Sequence, residues 1–274
     1  MTTFARPTDL PSALALMSDG ARQVLGGGTD IYPGAGAKLD QPLLDITALP
    51  ELKGIHLASG LRIGAAATWT QIAETPLPPA LAGLQQAARQ VGARQIQNSG
   101  TIAGNLCNAS PAADGVPPLL TLDASVELAS SRGTRHLPLA AFISGPRRTA
   151  RAADELMVAI HIPDRALQGE GAFVKLGARA YLVISIAMVA TRIVSQNGIV
   201  TDCAIAVGAC SAVATRLPKV ESALIGQPLD DLARHVIGAD VNAALTPISD
   251  IRAPADYRAE AAVTLLRGVL GGIA

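Results

Sequence analysis

Apolar and polar positions recur along this chain in blocks whose period changes several times. Leu10, Ala13, Leu14 and Met17 fall at helical spacing behind Thr8 and Asp9, either of which can cap the free amides. Pro11 is tolerated in the first turn and Gly20 stops the run. Residues 22–25 and 43–46 predict short strands, the first running directly into Gly26-Gly27-Gly28. Apolar stretches at 54–58 and 61–64 flank Ser59-Gly60 as a hairpin would. Residues 70–73 and 79–91 carry helical patterns, the second with Leu81, Leu84, Ala88 and Val91 on one face, and 119–122 continues as another helix. Residues 124–128, 135–137 and 155–162 alternate like half-buried strands, and Pro163 closes that stretch.

Residues 168–171 then predict a linker. Beyond it lie apolar segments at 172–176, 184–194 and 200–208, followed by helical patterns at 218–224, 229–237 and 257–270. No internal repeat or low-complexity segment interrupts the order. The expected class is α+β, divided into units at 1–53, 54–168 and 169–274.

Two polar segments stand outside this periodicity. The first is Gly26-Gly27-Gly28-Thr29-Asp30, after Val24 and Leu25. Glycines after a strand make a common turn; they also let successive amides form an anion-binding concavity. The spacing is not the G-x-G-x-x-G dinucleotide fingerprint, and no Lys-Ser/Thr follows as in a Walker loop, so a doubly wound nucleotide domain is disfavoured. The second segment runs from Ser99 to Asp114. It crowds Thr101, Asn105, Asn108, Ser110 and Asp114 around a tight Ala103-Gly104 turn and leads into Val116-Pro117-Pro118-Leu119-Leu120. With such neighbours the segment is expected to be buried and to need polar partners. Two such turns suggest a large cofactor held from two sides.

Composition narrows the function classes. Of 274 residues, 49% are hydrophobic and only 3% aromatic, so stacking platforms for nucleic acid are scarce. Lys and Arg number 22 against 22 Asp and Glu, leaving no net field toward nucleic acid or anionic lipid. Cys107, Cys203 and Cys210 are too few for a disulfide framework or a four-thiolate cluster. The apolar stretch 181–190 is short of a membrane span and Arg192 follows it; with no apolar leader, a cytoplasmic protein is expected. His56, His136, His161 and His235 lack metal spacing and are expected to be surface or satisfied core residues, with His161 facing away from the core. Arg147-Arg148 reads as a solvated loop or a partner contact, and Trp69 as a packing residue. Neither a nucleophile elbow nor a paired-carboxylate site is evident, so no catalytic residue and no metal ligand is nominated.

The two polar segments, with Ala109-Ser110-Pro111-Ala112-Ala113-Asp114, Glu155-Leu156-Met157 to Ile162-Pro163, Phe173-Val174-Lys175, Asp250-Ile251-Arg252 and Tyr257-Arg258, resemble the flavin-binding medium subunit of the molybdenum hydroxylases, such as carbon monoxide and xanthine dehydrogenases. The likeness spans almost the whole chain in the expected order. One departure is Ala103, where the family usually has glycine.

The resemblance implies an oxidoreductase subunit with an FAD-binding fold of the vanillyl-oxidase type: two N-terminal α/β subdomains and a C-terminal antiparallel sheet with helices covering the flavin. By the same resemblance Val24, Leu25, Gly26, Gly27, Gly28, Thr29, Asp30 and Ile31 would wrap the FAD diphosphate. Thr101, Ile102, Ala103, Gly104 and Asn105 would clamp the same diphosphate and the ribityl side. Asn108 and Asp114 would bond along the ribityl chain or near the ring, and Val91, Met157 and Lys175 would line the adenine side. Partners implied are a large molybdenum-cofactor subunit and a small subunit with two [2Fe–2S] clusters, with room for a dimer of such heterotrimers. The route would carry electrons from those clusters through FAD to an external acceptor. A stand-alone FAD oxidoreductase and a non-enzymatic scaffold are the rival readings.

Overall fold

The local signals act where the sequence places them. Asp9 Oδ1 accepts the Ser12 N–H at 2.8 Å and caps helix Leu10–Ser18. Thr68 and Gln71 form a reciprocal capping box that starts helix Trp69–Glu74. The computed structural model describes residues 4–35 and 41–272, so the expected outer limits 1 and 274 lie outside the described residues.

Strands β1 (Phe4–Ala5), β2 (Gln23–Leu25) and β3 (Leu43–Asp45) form a small parallel sheet in the order β1-β3-β2. Parallel strands need a crossover: helix Leu10–Ser18 connects β1 to β2 in the chain, and β3 pairs between those two. Strands β4 (Ile55–Ala58), β5 (Gly60–Gly64), β6 (Ser125–Ser130) and β7 (Gly133–Pro138) belong to a second, five-stranded antiparallel sheet. A short ribbon of β8 (Ile143–Gly145) and β9 (Arg148–Thr149) precedes its central strand, β10 (Leu156–Ile162). The order is β4-β5-β10-β6-β7. Leu61, Ile63, Val126, Leu128, Ile160 and Ile162 fill one core together with Ala13, Leu44, Leu49 and Trp69.

The C-terminal region has its own core. Strands β11 (Glu170–Leu176), β12 (Ala187–Gln196), β13 (Ile199–Gly208) and β14 (Thr215–Arg216) form an antiparallel sheet in sequence order. Helices Pro218–Leu224 and Ala255–Gly271 cover it through Val220, Leu224, Leu266 and Leu270. Arg258, 2% exposed, donates to Ile186 O at 2.6 Å, Ala209 O at 2.9 Å and Asp250 Oδ1 at 2.6 Å, tying the last helix to the open end of the β12–β13 hairpin. Helix Ala82–Gln90 joins the two cores, with Gln86 Oε1 accepting the Phe173 N–H of β11 at 2.7 Å.

Four differences from the sequence expectations have physical causes. Residues 170 and 171 are not linker but the start of β11, because their backbone pairs with Ile193 and Arg192. Residues 229–235 wind as a 3-10 helix rather than an α-helix. Helix Arg94–Ser99 has no apolar stripe and was invisible to periodicity. The expected turn at Ala103-Gly104 lies inside helix Ile102–Asn108, which Thr101 caps by accepting the Gly104 N–H at 3.1 Å.

Candidate cofactor site

The parallel sheet delivers residues 26–30 from the end of β2, and helix Arg94–Ser99 delivers residues 99–101 against them. The two segments touch. A Cβ on Gly27 would sit 1.9 Å from Ser99 O and 2.8 Å from Gly100 Cα, so only glycine permits this approach. Gly28 adopts φ +69°, in the left-handed region. Among the described residues, none of the N–H groups from Gly26 to Asp30 donates to a protein acceptor. Five successive unpartnered amides on a glycine turn make a donor-rich concavity suited to an anion.

The second segment is built differently. Ile102 N–H donates to Ala67 O at 3.0 Å, Ala103 N–H to Ala65 O at 3.4 Å and Asn105 N–H to Thr101 O at 3.1 Å. Its first-turn amides are thus engaged within the protein. What it leaves free is an acceptor: Asn105 Oδ1 is buried without a partner. Asn108 Nδ2 donates to Asp30 Oδ1 at 3.0 Å and bolts the two segments together.

Between them opens a cavity of about 680 Å3, within the range of cofactor sites. Every residue nominated from sequence lines it except Leu25, Ile102 and Lys175. Leu25 and Ile102 point into the core, at 5% and 0% exposure. Lys175 stands behind the wall, its Nζ 2.7 Å from Asp114 Oδ2 and 3.0 Å from Gln90 O. Ser185 Oγ donates to Asp114 Oδ1 at 2.6 Å. Burial pushes the Asp114 carboxyl above the usual carboxylate range, while Lys175 and Ser185 pull it back.

Several lining residues had no signal in the sequence. Trp69, 2% exposed, is both core and cavity floor, standing 3.3 Å or less from where a side chain on Gly100 or Gly115 would begin. Arg147 sits in an exposed turn, as expected, and also lines the cavity: its guanidinium meets Asn108 Oδ1 while its backbone N–H donates to Ala109 O at 2.8 Å. Arg22 and Arg151 add positive charge to the lining, and Arg151 Nη1 donates to Glu155 O at 2.6 Å. Glu155 is held below the usual range by the paired bonds of Arg135, at 2.6 and 2.8 Å, against the opposing pull of burial. Cys107 also lines the wall, and burial pushes its thiol up to about 11.

Fold and slot together define an α+β cofactor-binding protein whose cavity suits an elongated ligand with an anionic section. Residues 1–165 match the family described as the FAD binding domain in molybdopterin dehydrogenase, and residues 172–272 match the CO dehydrogenase flavoprotein C-terminal domain. The chain is 35% identical to the nicotinate dehydrogenase FAD-subunit of Eubacterium barkeri, covering 82% of this chain and 80% of that one. It is 31% identical to the xanthine dehydrogenase FAD-binding subunit of Escherichia coli O157:H7, covering 98% and 94%. In structure it is similar to carbon monoxide dehydrogenase from Hydrogenophaga pseudoflava, with a TM-score of 0.90, 27% identity and coverage of 99% and 96%. The chain belongs to the FAD-binding medium subunits of the molybdenum hydroxylases, a family of oxidoreductases. The resemblance read from the sequence and the fold class it implied both hold.

Proposed function

We propose that this chain is the electron-transferring FAD subunit of a heterotrimer, working beside a large molybdenum-cofactor subunit and a small [2Fe–2S] subunit in the cytoplasm. The reading rests on the run from Gly26 to Asp30, which lines the slot and whose amides have no partner among the described residues. A diphosphate satisfies such donors, and the arginines at 22, 147 and 151 offset its charge. The opposite wall, Thr101, Ala103, Gly104 and Asn105, holds the ligand by shape. Val91, Asn108, Asp114 and Met157 complete the enclosure, and Lys175 fixes the Asp114 carboxylate.

A bound flavin supplies the step between one-electron and two-electron carriers. The chain's own part is to bind it, orient it and restrict water around it. Substrate oxidation then falls to the molybdenum partner. The complex purified from its native host is expected to contain three polypeptides, iron, molybdenum and FAD, while this chain alone binds FAD without oxidising any organic substrate. Turnover by the isolated chain would overturn the subunit reading, and a colourless chain in the intact complex would overturn the FAD assignment.

A further inference from the structure

The outer face of the five-stranded sheet carries side chains that the cofactor slot does not use. The histidines that lack metal spacing along the chain are brought together there by strand register. Glu127 on β6 stands directly opposite His136 on β7. On the other flank of β6, Ala159 of β10 is the residue opposite Glu127, and His161 lies two residues further along the same face. The small Ala159 leaves room for the His161 ring to lean over β6, where its Nε2 lies 2.7 Å from Glu127 Oε2. The rings of His136 and His161 meet edge to face with centroids 5.0 Å apart. One ligand atom from each of the three residues lies within 4.8 Å of the others.

We propose that Glu127, His136 and His161 form a binding site for a divalent transition metal, and that Zn2+ is the ion it suits. Two imidazoles and one carboxylate leave a fourth position for water, a donor set that fits tetrahedral zinc. An all-oxygen shell of the kind that calcium or magnesium requires is absent from these three residues. Ligands bound at 2.0–2.2 Å around a tetrahedral ion sit about 3.4 Å apart. The three atoms therefore reach bonding positions by side-chain rotation alone, on strands already fixed by their ladders. A metal at His161 Nε2 takes the place of the bond to Glu127, and the neutral imidazole then carries its N–H on Nδ1.

Arg62 opposes the cation, with Nε 4.0 Å from Glu127 Oε2, while its Nη2 is engaged by Glu51 O at 3.0 Å. The site would clamp edge strand β7 to β6 and, across it, to β10.

The test uses the full chain without a histidine tag, carrying its bound cofactor and stripped of metals with a chelator. Zn2+ is then titrated calorimetrically, and thermal unfolding is followed with and without Zn2+. A single Zn2+ per chain is expected, with a rise of a few degrees in Tm at saturating metal. His136→Ala and His161→Ala should each weaken binding by about tenfold or more and abolish the rise. Glu127→Gln, which keeps shape and loses charge, should also weaken it. His56→Ala, on the same sheet, should bind as the parent does. Flavin content and the metal-free Tm should match the parent in every variant, because these side chains face away from the slot and the core. Unchanged zinc affinity in both His136→Ala and His161→Ala, or equal loss in His56→Ala, would overturn the site.

Discussion

A single methyl group at position 27 would close the distance between two backbones that already touch. The glycine is there because Ser99 O and Gly100 Cα occupy the place of a side chain, not because a ligand does. Gly27→Ala should therefore separate the two segments, empty the slot of flavin and lower stability in urea by about 2 kcal/mol or more. Gly104→Ala is expected to be milder, since its methyl meets only Thr101 Oγ1 at 2.9 Å and strains one cap; flavin absorbance per chain distinguishes the two. Lys175 and Asp114 are a buried pair at 5% and 10% side-chain exposure. Lys175→Met strands the carboxylate and should cost about 3–5 kcal/mol. Adding Asp114→Asn should return part of that loss, measured as a double-mutant cycle in urea. At this scale the glycine turn and Asp114 could be singled out in the sequence, the first because three glycines run together after a strand and the second because it is polar amid apolar neighbours. Lys175 was legible only through resemblance, and its partner could not be read from a separation of 61 positions.

Elements were legible where burial imposed a period. The strands at 55–64, 125–130 and 156–162 and the helix capped by Asp9 follow from alternation and capping chemistry. Helix Arg94–Ser99 did not, because it is held by the segment it supports rather than by an apolar stripe of its own. Which strands neighbour which was not legible either: the insertion of β10 between β5 and β6 brings Glu127 and His161 together across 34 positions. That insertion also positions Glu155, just before β10, to receive Arg135 of β7 and the Ala152 N–H at 2.7 Å. Since Arg135 lowers the folded-state pKa of Glu155, its stabilising contribution is present above the unfolded carboxylate value and lost as pH falls through the lower folded value. Thermal melts across the acid range should show that decline in the parent and a flatter one in Glu155→Gln.

At the scale of the molecule, two cores are joined by helix Ala82–Gln90, the Arg192 side chain and the Lys175–Asp114 pair. Arg192, 4% exposed, donates to Thr121 O at 2.9 Å and pairs with Asp202 at 2.8 Å, so the charge that ends the apolar run in the sequence is a cross-domain bolt in the fold. Among the described residues no helix is long and apolar enough to cross a membrane. Cys203 and Cys210 are buried within this packing, with burial pushing Cys210 up to about 11 and Cys203 up to about 12. A thiol reagent at pH 8 should leave these two nearly unlabelled in the native chain and label both in guanidine; rapid native labelling of either would contradict that packing.

The carboxylate of Asp114 grips Lys175 with one oxygen and Ser185 with the other. Those residues stand at the two feet of an arch, residues 176–184, whose crown exposes Tyr181, Leu182 and Ile184 while Val183 and Ile184 overhang the cavity. Because both feet share one keystone, removing the Asp114 carboxylate would loosen the two ends of the arch together, and with them the Val183 and Ile184 that roof the slot.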